Sequence, residues 1–225
     1  MAQAEPAVVR AIAQAPERVA ELVSQLESGV VRTRYGAAKA LKQLSEQSPE
    51  MVYPFAGVFL SLLEGEKTVL RWCSAQIIGN LARVDGEGMI EGALDRLLAP
   101  ISGHELIAAA NAIEAAAKIA LARPGLTDRI VGEILKAERG VYKTPECRNV
   151  AIGHALRALR ALSPQVCRQE HVLSFVRRQL RNSRPATRRK AETLLRTWTS
   201  GARPRLSRSR RSGLPEGTGS SRIRG

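Results

Sequence analysis

A short pattern of residues recurs along this chain at intervals of roughly 40 residues. Its clearest copy is an Arg, then a small residue three positions later and a large aliphatic residue seven positions later, as in Arg34, Ala37 and Leu41. Offsets of three and seven place the three side chains on one face of an α-helix. The copies begin at positions 34, 71, 106, 148 and 188, which are 37, 35, 42 and 40 residues apart. Self-similarity at this period predicts an α-solenoid of two-helix repeats, in which the small residue lets neighbouring helices approach closely.

A second periodicity comes from residues that favour turns. These residues, 36, 38, 37 and 42 positions apart, are Gly29, Gly65, Gly103, Gly140 and Asn182. We expect Gly29 to adopt the left-handed conformation that ends many helices, and Pro54 to kink or break the helix that contains it. The two periodicities together predict five antiparallel helix pairs over residues 16–200, after a cap helix over residues 6–14.

The composition favours a core of closely packed aliphatic helices. Apolar residues make up 44% of the chain but aromatic residues only 4%. No stretch approaches the roughly 20 consecutive apolar residues that cross a bilayer, and the N-terminus does not resemble a signal peptide. Three cysteines at irregular spacing do not form a disulfide framework. We therefore expect a cytoplasmic protein without a membrane segment.

The positive charge is concentrated toward the C-terminus. Residues 1–146 contain 16 Lys and Arg and 18 Asp and Glu, a net charge of −2; residues 147–200 contain 12 and 2, a net of +10; and residues 201–225 contain 7 and 1, a net of +6. This segregation predicts an acidic partner at the basic end, or else a solubilising surface. Residues 201–225 are rich in Arg, Ser, Gly and Pro, so we predict a disordered basic tail.

The repeated Arg-x-x-Ala-x-x-x-Leu spacing, with Gly at the hairpin turn and a period near 38, resembles HEAT repeats over residues 16–200. The related armadillo repeats would need a third short helix in each unit. The resemblance implies a right-handed, all-α solenoid whose second helices line a concave face. HEAT proteins mostly act as scaffolds and adaptors for proteins, some bind nucleic acid, and one HEAT-like group consists of DNA glycosylases. That group uses aromatic and acidic residues on its concave face, whereas Trp72 and Trp198 lie far apart in the repeats.

Two sets of residues are candidates for binding. The partner-binding candidates, on the second helices, are Arg34, Lys39, Arg71, Gln76, Asn80, Asn111, Lys118, Arg148 and Arg157. The polyanion-binding candidates, in a basic cluster, are Arg177, Arg178, Arg181, Arg184, Arg188, Arg189 and Lys190. Because no aromatic residues interleave with this cluster, phosphate contacts are favoured over base recognition. An ordinary solvated surface remains the alternative.

Other kinds of site receive little support from the sequence. Cys147, His154, Cys167 and His171 do not have a standard zinc spacing, so we predict neither a metal nor a cofactor. No catalytic triad or phosphate-binding glycine motif is evident. We therefore predict a non-catalytic scaffold that binds a protein through its concave face or basic end. The alternatives are sequence-nonspecific nucleic-acid binding through residues 177–211 and, third, a HEAT-like lyase or DNA glycosylase.

Overall fold

The chain folds as an all-α solenoid of five helix pairs. The computed structural model describes residues 16–201, which contain no β-strand. Their α-helices are α1 (Pro16–Ser24), α2 (Val31–Gln47), α3 (Pro49–Val52), α4 (Ala56–Leu62), α5 (Thr68–Leu81), α6 (Met89–Gly92), α7 (Leu94–Leu98), α8 (Leu106–Ala122), α9 (Thr127–Leu135), α10 (Pro145–Ala161), α11 (Ser163–Val166), α12 (Glu170–Arg178) and α13 (Pro185–Gly201). The predicted cap helix and nearly all of the predicted tail lie outside the described residues.

The second helices of the five pairs, α2, α5, α8, α10 and α13, pack against one another in succession. The small residues of the sequence pattern are buried, at most 2% exposed: Ala37, Ser74, Ala109, Ala151 and Ala191. The closest approach is between α5 and α8, where a Cβ atom added to Gly79 would lie 2.8 Å from the Cα atom of Ala115. The side chain that is absent from Gly79 therefore sets the distance between these two helices.

The first helices are less regular than the sequence predicts. They are continuous in pairs one and four but divided in the other three pairs, as α3 and α4, α6 and α7, and α11 and α12. In the second pair the expected break is a 3-10 turn over Tyr53–Phe55, since Pro54 has no N–H for the helix. The other two breaks, at Ala93 and at residues 167–169, follow from no such residue. Three of the five units thus contain the third short helix that distinguishes armadillo repeats.

The first hairpin turn differs from our prediction. Gly29 does not adopt a left-handed conformation; Ser28 instead leaves the helix with φ −51° and ψ 136°, followed by an extended Val30. Among the described glycines only Gly88 has a positive φ, of 72°, immediately before α6. An extended turn needs no left-handed residue, so Gly29 is not required there for its backbone conformation.

A buried carboxylate fixes the turn that Gly88 helps to form. Asp85 is 2% exposed and accepts hydrogen bonds from the Tyr53 hydroxyl at 2.8 Å and from the backbone N–H groups of Met89 and Ile90 at 3.0 and 3.1 Å. Asp85 thereby satisfies the free donors at the start of α6 and joins the second pair to the third.

The long loop before α10 packs onto the preceding pair. Tyr142 is buried and its hydroxyl donates to the carbonyl oxygen of Ile101, while burial raises the pKa of Tyr142 to about 12. A Cβ atom on Gly140 would overlap the Tyr142 ring, so this position needs glycine for the space that it leaves. None of the described helices has the length and hydropathy needed to span a membrane.

Candidate interaction surface

A ladder of polar side chains runs between the second helices. Lys118 donates to the side-chain oxygens of Gln76 at 3.2 Å and Asn80 at 2.8 Å. Asn80 donates in turn to Ser45 at 2.9 Å, and Gln76 donates to the Asn111 side-chain oxygen at 3.1 Å. Gln76 and Asn80 are only 2% and 8% exposed. These two candidate residues therefore lie in the interior, where their hydrogen bonds join α2, α5 and α8. The same hydrogen bonds offset the cost of burying their amide groups.

The repeated arginines contact the hairpin turns. The guanidinium group of Arg34 donates to the carbonyl oxygen of Ser28 at 2.6 Å, and that of Arg188 donates to Asn182 at 3.1 Å. Each bond reaches back six residues, from the first turn of a second helix to the preceding turn. Arg71 contacts Glu105 at 3.4 Å instead. The same geometry occurs at the first and last repeats, which indicates that the arginine of the pattern stabilises the hairpin turn there.

An open groove lies between the second helices of pairs four and five. It has a volume of about 340 Å³, and its lining residues are Leu156, Arg157, Arg160, Ala186, Arg189, Lys190, Thr193 and Leu194. We call it the α10–α13 groove. Two cationic side chains come from each helix, and the apolar floor consists of the half-buried Ala186 beside the buried Leu156 and Leu194. No carboxylate is among its lining residues.

The cations of the groove differ in their partners. Arg157 lies 3.7 Å from Glu114 and donates to Nδ1 of His154 at 2.9 Å, and Lys190 donates to the carbonyl oxygen of Gly153 at 3.0 Å. Arg160 and Arg189, by contrast, have no hydrogen bond or ion pair with any residue in the range 16–201. Two guanidinium groups at this groove are therefore available to a ligand.

The titration of neighbouring groups reflects this accumulation of positive charge. Burial lowers the pKa of Lys190 from its usual value, and Arg157 and Arg184 lower it further. Burial also lowers the pKa of His154, as do Arg157 and Lys190, against the opposing effect of Glu114. Glu114 is thus the one acid that contributes here, and it already contacts Arg157 and Lys118.

The basic cluster predicted over residues 177–190 is distributed over both helices of the fifth pair and the turn between them. Arg177 and Arg178 belong to α12, Arg181 to the 3-10 turn after it, and Arg184 to the hairpin. The remaining members are on α13: Arg188, Arg189 and Lys190. Three of the seven are ion-paired: Arg177 with Glu170, Arg178 with Glu138 and Arg184 with Glu146, at 3.0, 2.8 and 2.7 Å. The cluster is therefore divided between the two helix layers.

The Arg178 pair is the best defined of these contacts. Two nitrogens of its guanidinium group donate to both carboxylate oxygens of Glu138, which also accepts a bond from Gln179. Burial raises the pKa of Glu138, but the hydrogen bonds from Arg178 and Gln179 outweigh that effect and hold the pKa below its usual value. This contact joins the end of the first helix of pair four to the end of the first helix of pair five.

The remaining candidates are spread over the second helices. Lys39 and Arg148 are exposed, and Asn111 is half-buried and contacts Gln76. The structure thus brings Arg157, Arg189 and Lys190 together with Arg160, which sequence reasoning missed. Its spacing of three from Arg157 was a signal that both belong to one helix face. Within residues 16–201, no three His, Cys, Asp or Glu side chains are grouped so as to hold a metal.

Comparison with solved structures supports the fold. The chain is similar to a designed armadillo repeat protein, with 15% identity and a TM-score of 0.63 over 87% of this chain and 88% of that one. Two engineered proteins from a structural genomics consortium are each 18% identical to this chain, and each comparison covers 88% of it. The first has a TM-score of 0.58 and is covered over 86% of its own length. The second has a TM-score of 0.59 and is covered over 51% of its own length. No protein-family model matches, and no curated protein is similar in sequence. The helical-repeat architecture is thus established, while assignment to HEAT repeats in particular stays a prediction.

Proposed function

We propose that this chain is a non-catalytic repeat scaffold that binds a protein partner through its second-helix face, the exposed side of α2, α5, α8, α10 and α13. The observation that carries the proposal is the α10–α13 groove, which combines an apolar floor with cationic walls. Protein-binding surfaces typically pair a desolvated apolar centre with a polar rim. Helical-repeat folds such as the designed armadillo protein generate extended surfaces of this kind.

We favour a protein partner over a nucleic acid because of how the arginines are distributed. Nucleic-acid binding through residues 177–211 needs a set of guanidinium groups directed at one strand of phosphates. Arg177, Arg178 and Arg184 already contact carboxylates, and the first two belong to α12 whereas Arg189 belongs to α13. Arginines that are already paired with carboxylates do not favour a continuous phosphate-binding track.

The test is capture of partners by the immobilised full-length chain from nuclease-treated and untreated lysates of its own cells. The captured complex is then mapped by hydrogen exchange. We expect nuclease-insensitive capture of a protein, with slower exchange confined to second helices. Capture that nuclease abolishes would favour the nucleic-acid alternative. Protection confined to first helices, such as α9 and α12, would refute the proposed face.

A further inference from the structure

The α10–α13 groove has features that select one class of ligand, and the inference drawn from them rests on the proposed function. Its walls carry Arg157 and Arg160 on one side and Arg189 and Lys190 on the other. Helices in contact have axes about 8–10 Å apart, so cations from the two walls reach a ligand between them from both sides. A ligand with several negative charges close together would therefore be held by both helices.

The floor of the groove adds a second requirement. The half-buried Ala186, beside the buried Leu156 and Leu194, contributes apolar surface between the charged walls. A phosphodiester strand would place charge over this surface without covering it, and no aromatic side chain is present among the lining residues to stack on a base. A peptide with carboxylates on either side of an aliphatic side chain would satisfy both the walls and the floor.

The chain's own terminal segments are poor occupants on grounds of charge. Residues 201–225 carry seven Arg and one Glu, a net of +6, which the groove would repel. Residues 1–15 carry one Glu and one Arg, a net of zero. Glu114, which contacts Arg157, is already shared with Lys118. Negative charge to pair with Arg160 and Arg189 would therefore come from another molecule.

We infer that the α10–α13 groove binds an acidic peptide segment of a partner protein, with an aliphatic side chain against Ala186 and carboxylates between Arg160 and Arg189. Arg160 and Arg189 are the principal anchors because they make no internal bonds that binding would have to break. Arg157 and Lys190 add charge while keeping their contacts with Glu114 and Gly153.

The experiment measures fluorescence anisotropy of a labelled synthetic peptide of glutamates around a central leucine, titrated with the full-length chain. The groove variant is Arg160→Gln with Arg189→Gln. The matched control is Arg168→Gln with Arg181→Gln, which removes the same charge from exposed arginines that also lack partners among residues 16–201. None of the four changes removes a hydrogen bond or ion pair among residues 16–201, and circular dichroism checks that each variant folds.

We expect the groove variant to bind roughly 2- to 30-fold more weakly, from two ion pairs in a solvent-exposed setting, and the control to bind almost as wild type does. Binding should weaken with salt, because the screening length is only about 8 Å at physiological ionic strength. A peptide with glycine in place of the leucine, and one with glutamines in place of the glutamates, should each bind more weakly.

Several outcomes would overturn the inference. Equal loss in the two variants would show attraction by net charge alone, and equal binding of the glycine peptide would remove the role of the floor. Tighter, groove-dependent binding of an oligonucleotide of equal charge would reassign the groove to nucleic acid. A dimer seen by sedimentation that only the groove variant dissociates would make a second copy the occupant. If no peptide binds but capture still maps to second helices, this inference fails while the proposed function stands.

Discussion

The contact between Gly79 and Ala115 gives the sharpest test of the packing. In the Gly79→Ala variant the new Cβ atom would lie 2.8 Å from the Cα atom, 3.1 Å from the Cβ atom and 3.2 Å from the carbonyl oxygen of Ala115. Ordinary carbon–carbon contacts are about 3.5–4.0 Å, so α5 and α8 must separate by several tenths of an ångström. Two of the three atoms belong to the backbone, so no rotamer change relieves the clash.

The expected magnitude combines two opposing effects. Overpacking a close contact costs about 1–3 kcal/mol, and a rigid backbone neighbour places this case toward the upper end. Replacing glycine by alanine within a helix returns about 0.5–1 kcal/mol. We therefore expect Gly79→Ala to lose about 1–2 kcal/mol of unfolding free energy.

The matched control is Gly36→Ala, which lies in second helix α2 with no atom within 4 Å of the added Cβ. This variant should gain about 0.5–1 kcal/mol, because it has the helix benefit without the clash. Both are measured by urea denaturation followed by circular dichroism, with the free energies compared only if the m-values agree. A Gly79→Ala variant that is stabilised as much as Gly36→Ala would refute the close approach of α5 and α8.

Three further perturbations test other parts of the molecule. Asp85→Ala should lose about 1–3 kcal/mol in urea denaturation, because it leaves buried donors at the start of α6 without an acceptor; an unchanged midpoint would contradict this. Ala191→Leu should lose about 1–3 kcal/mol by overpacking, whereas Ala161→Leu at an exposed position should not; equal thermal shifts would contradict the packing. The lowered pKa of His154 means that the unfolded chain binds its proton more readily, so wild type should lose stability as pH falls below about 6.5 and His154→Gln should lose less. Parallel melting-temperature profiles for the two proteins would oppose that assignment.

The repeat architecture could be predicted because its cause is local in the sequence. A small residue three positions after the pattern begins is buried in every pair, from Ala37 to Ala191, so the period of the chain directly reports the period of the packing. The breaks at Ala93 and at residues 167–169 could not be predicted in the same way. Gly92 precedes the first of them, but glycines within α2, α4 and α5 do not interrupt those helices, so glycine alone does not mark a break.

The candidate surface was less predictable because exposure depends on both neighbours of a helix. Gln76 and Asn80 are polar and were expected at the surface, but α5 is flanked by α2 and α8, which enclose them. The groove brings together Arg160 and Arg189, which belong to second helices of successive pairs. Such a pairing follows from the rotation of each helix about its axis, which single-sequence periodicity does not fix.

The uneven charge of the chain has a structural component. Seven ion pairs between described residues join neighbouring helix pairs, and in six of them the base belongs to the later pair and the acid to the earlier one, as in Arg129 with Asp95 and Arg178 with Glu138. The exception is Arg71 with Glu105. Each exposed pair contributes only about 0–1 kcal/mol. Because the inner pairs supply bases to the preceding pair and acids to the following one, this direction leaves bases without acids only in the last pair, where they are Arg178 and Arg184.

The net charge of the C-terminal half is therefore a poor measure of what that half binds. Arg178 and Arg184 belong to this internal pairing, so they hold adjacent repeats together and their charge is largely compensated. Arg160 and Arg189 are outside it and meet at one groove. The difference between paired and unpaired arginines, which composition cannot reveal, is the reason that we place the acidic partner at the α10–α13 groove. Electrostatic attraction to the whole basic half would guide such a partner, whereas the contacts at the groove would determine which partner stays bound.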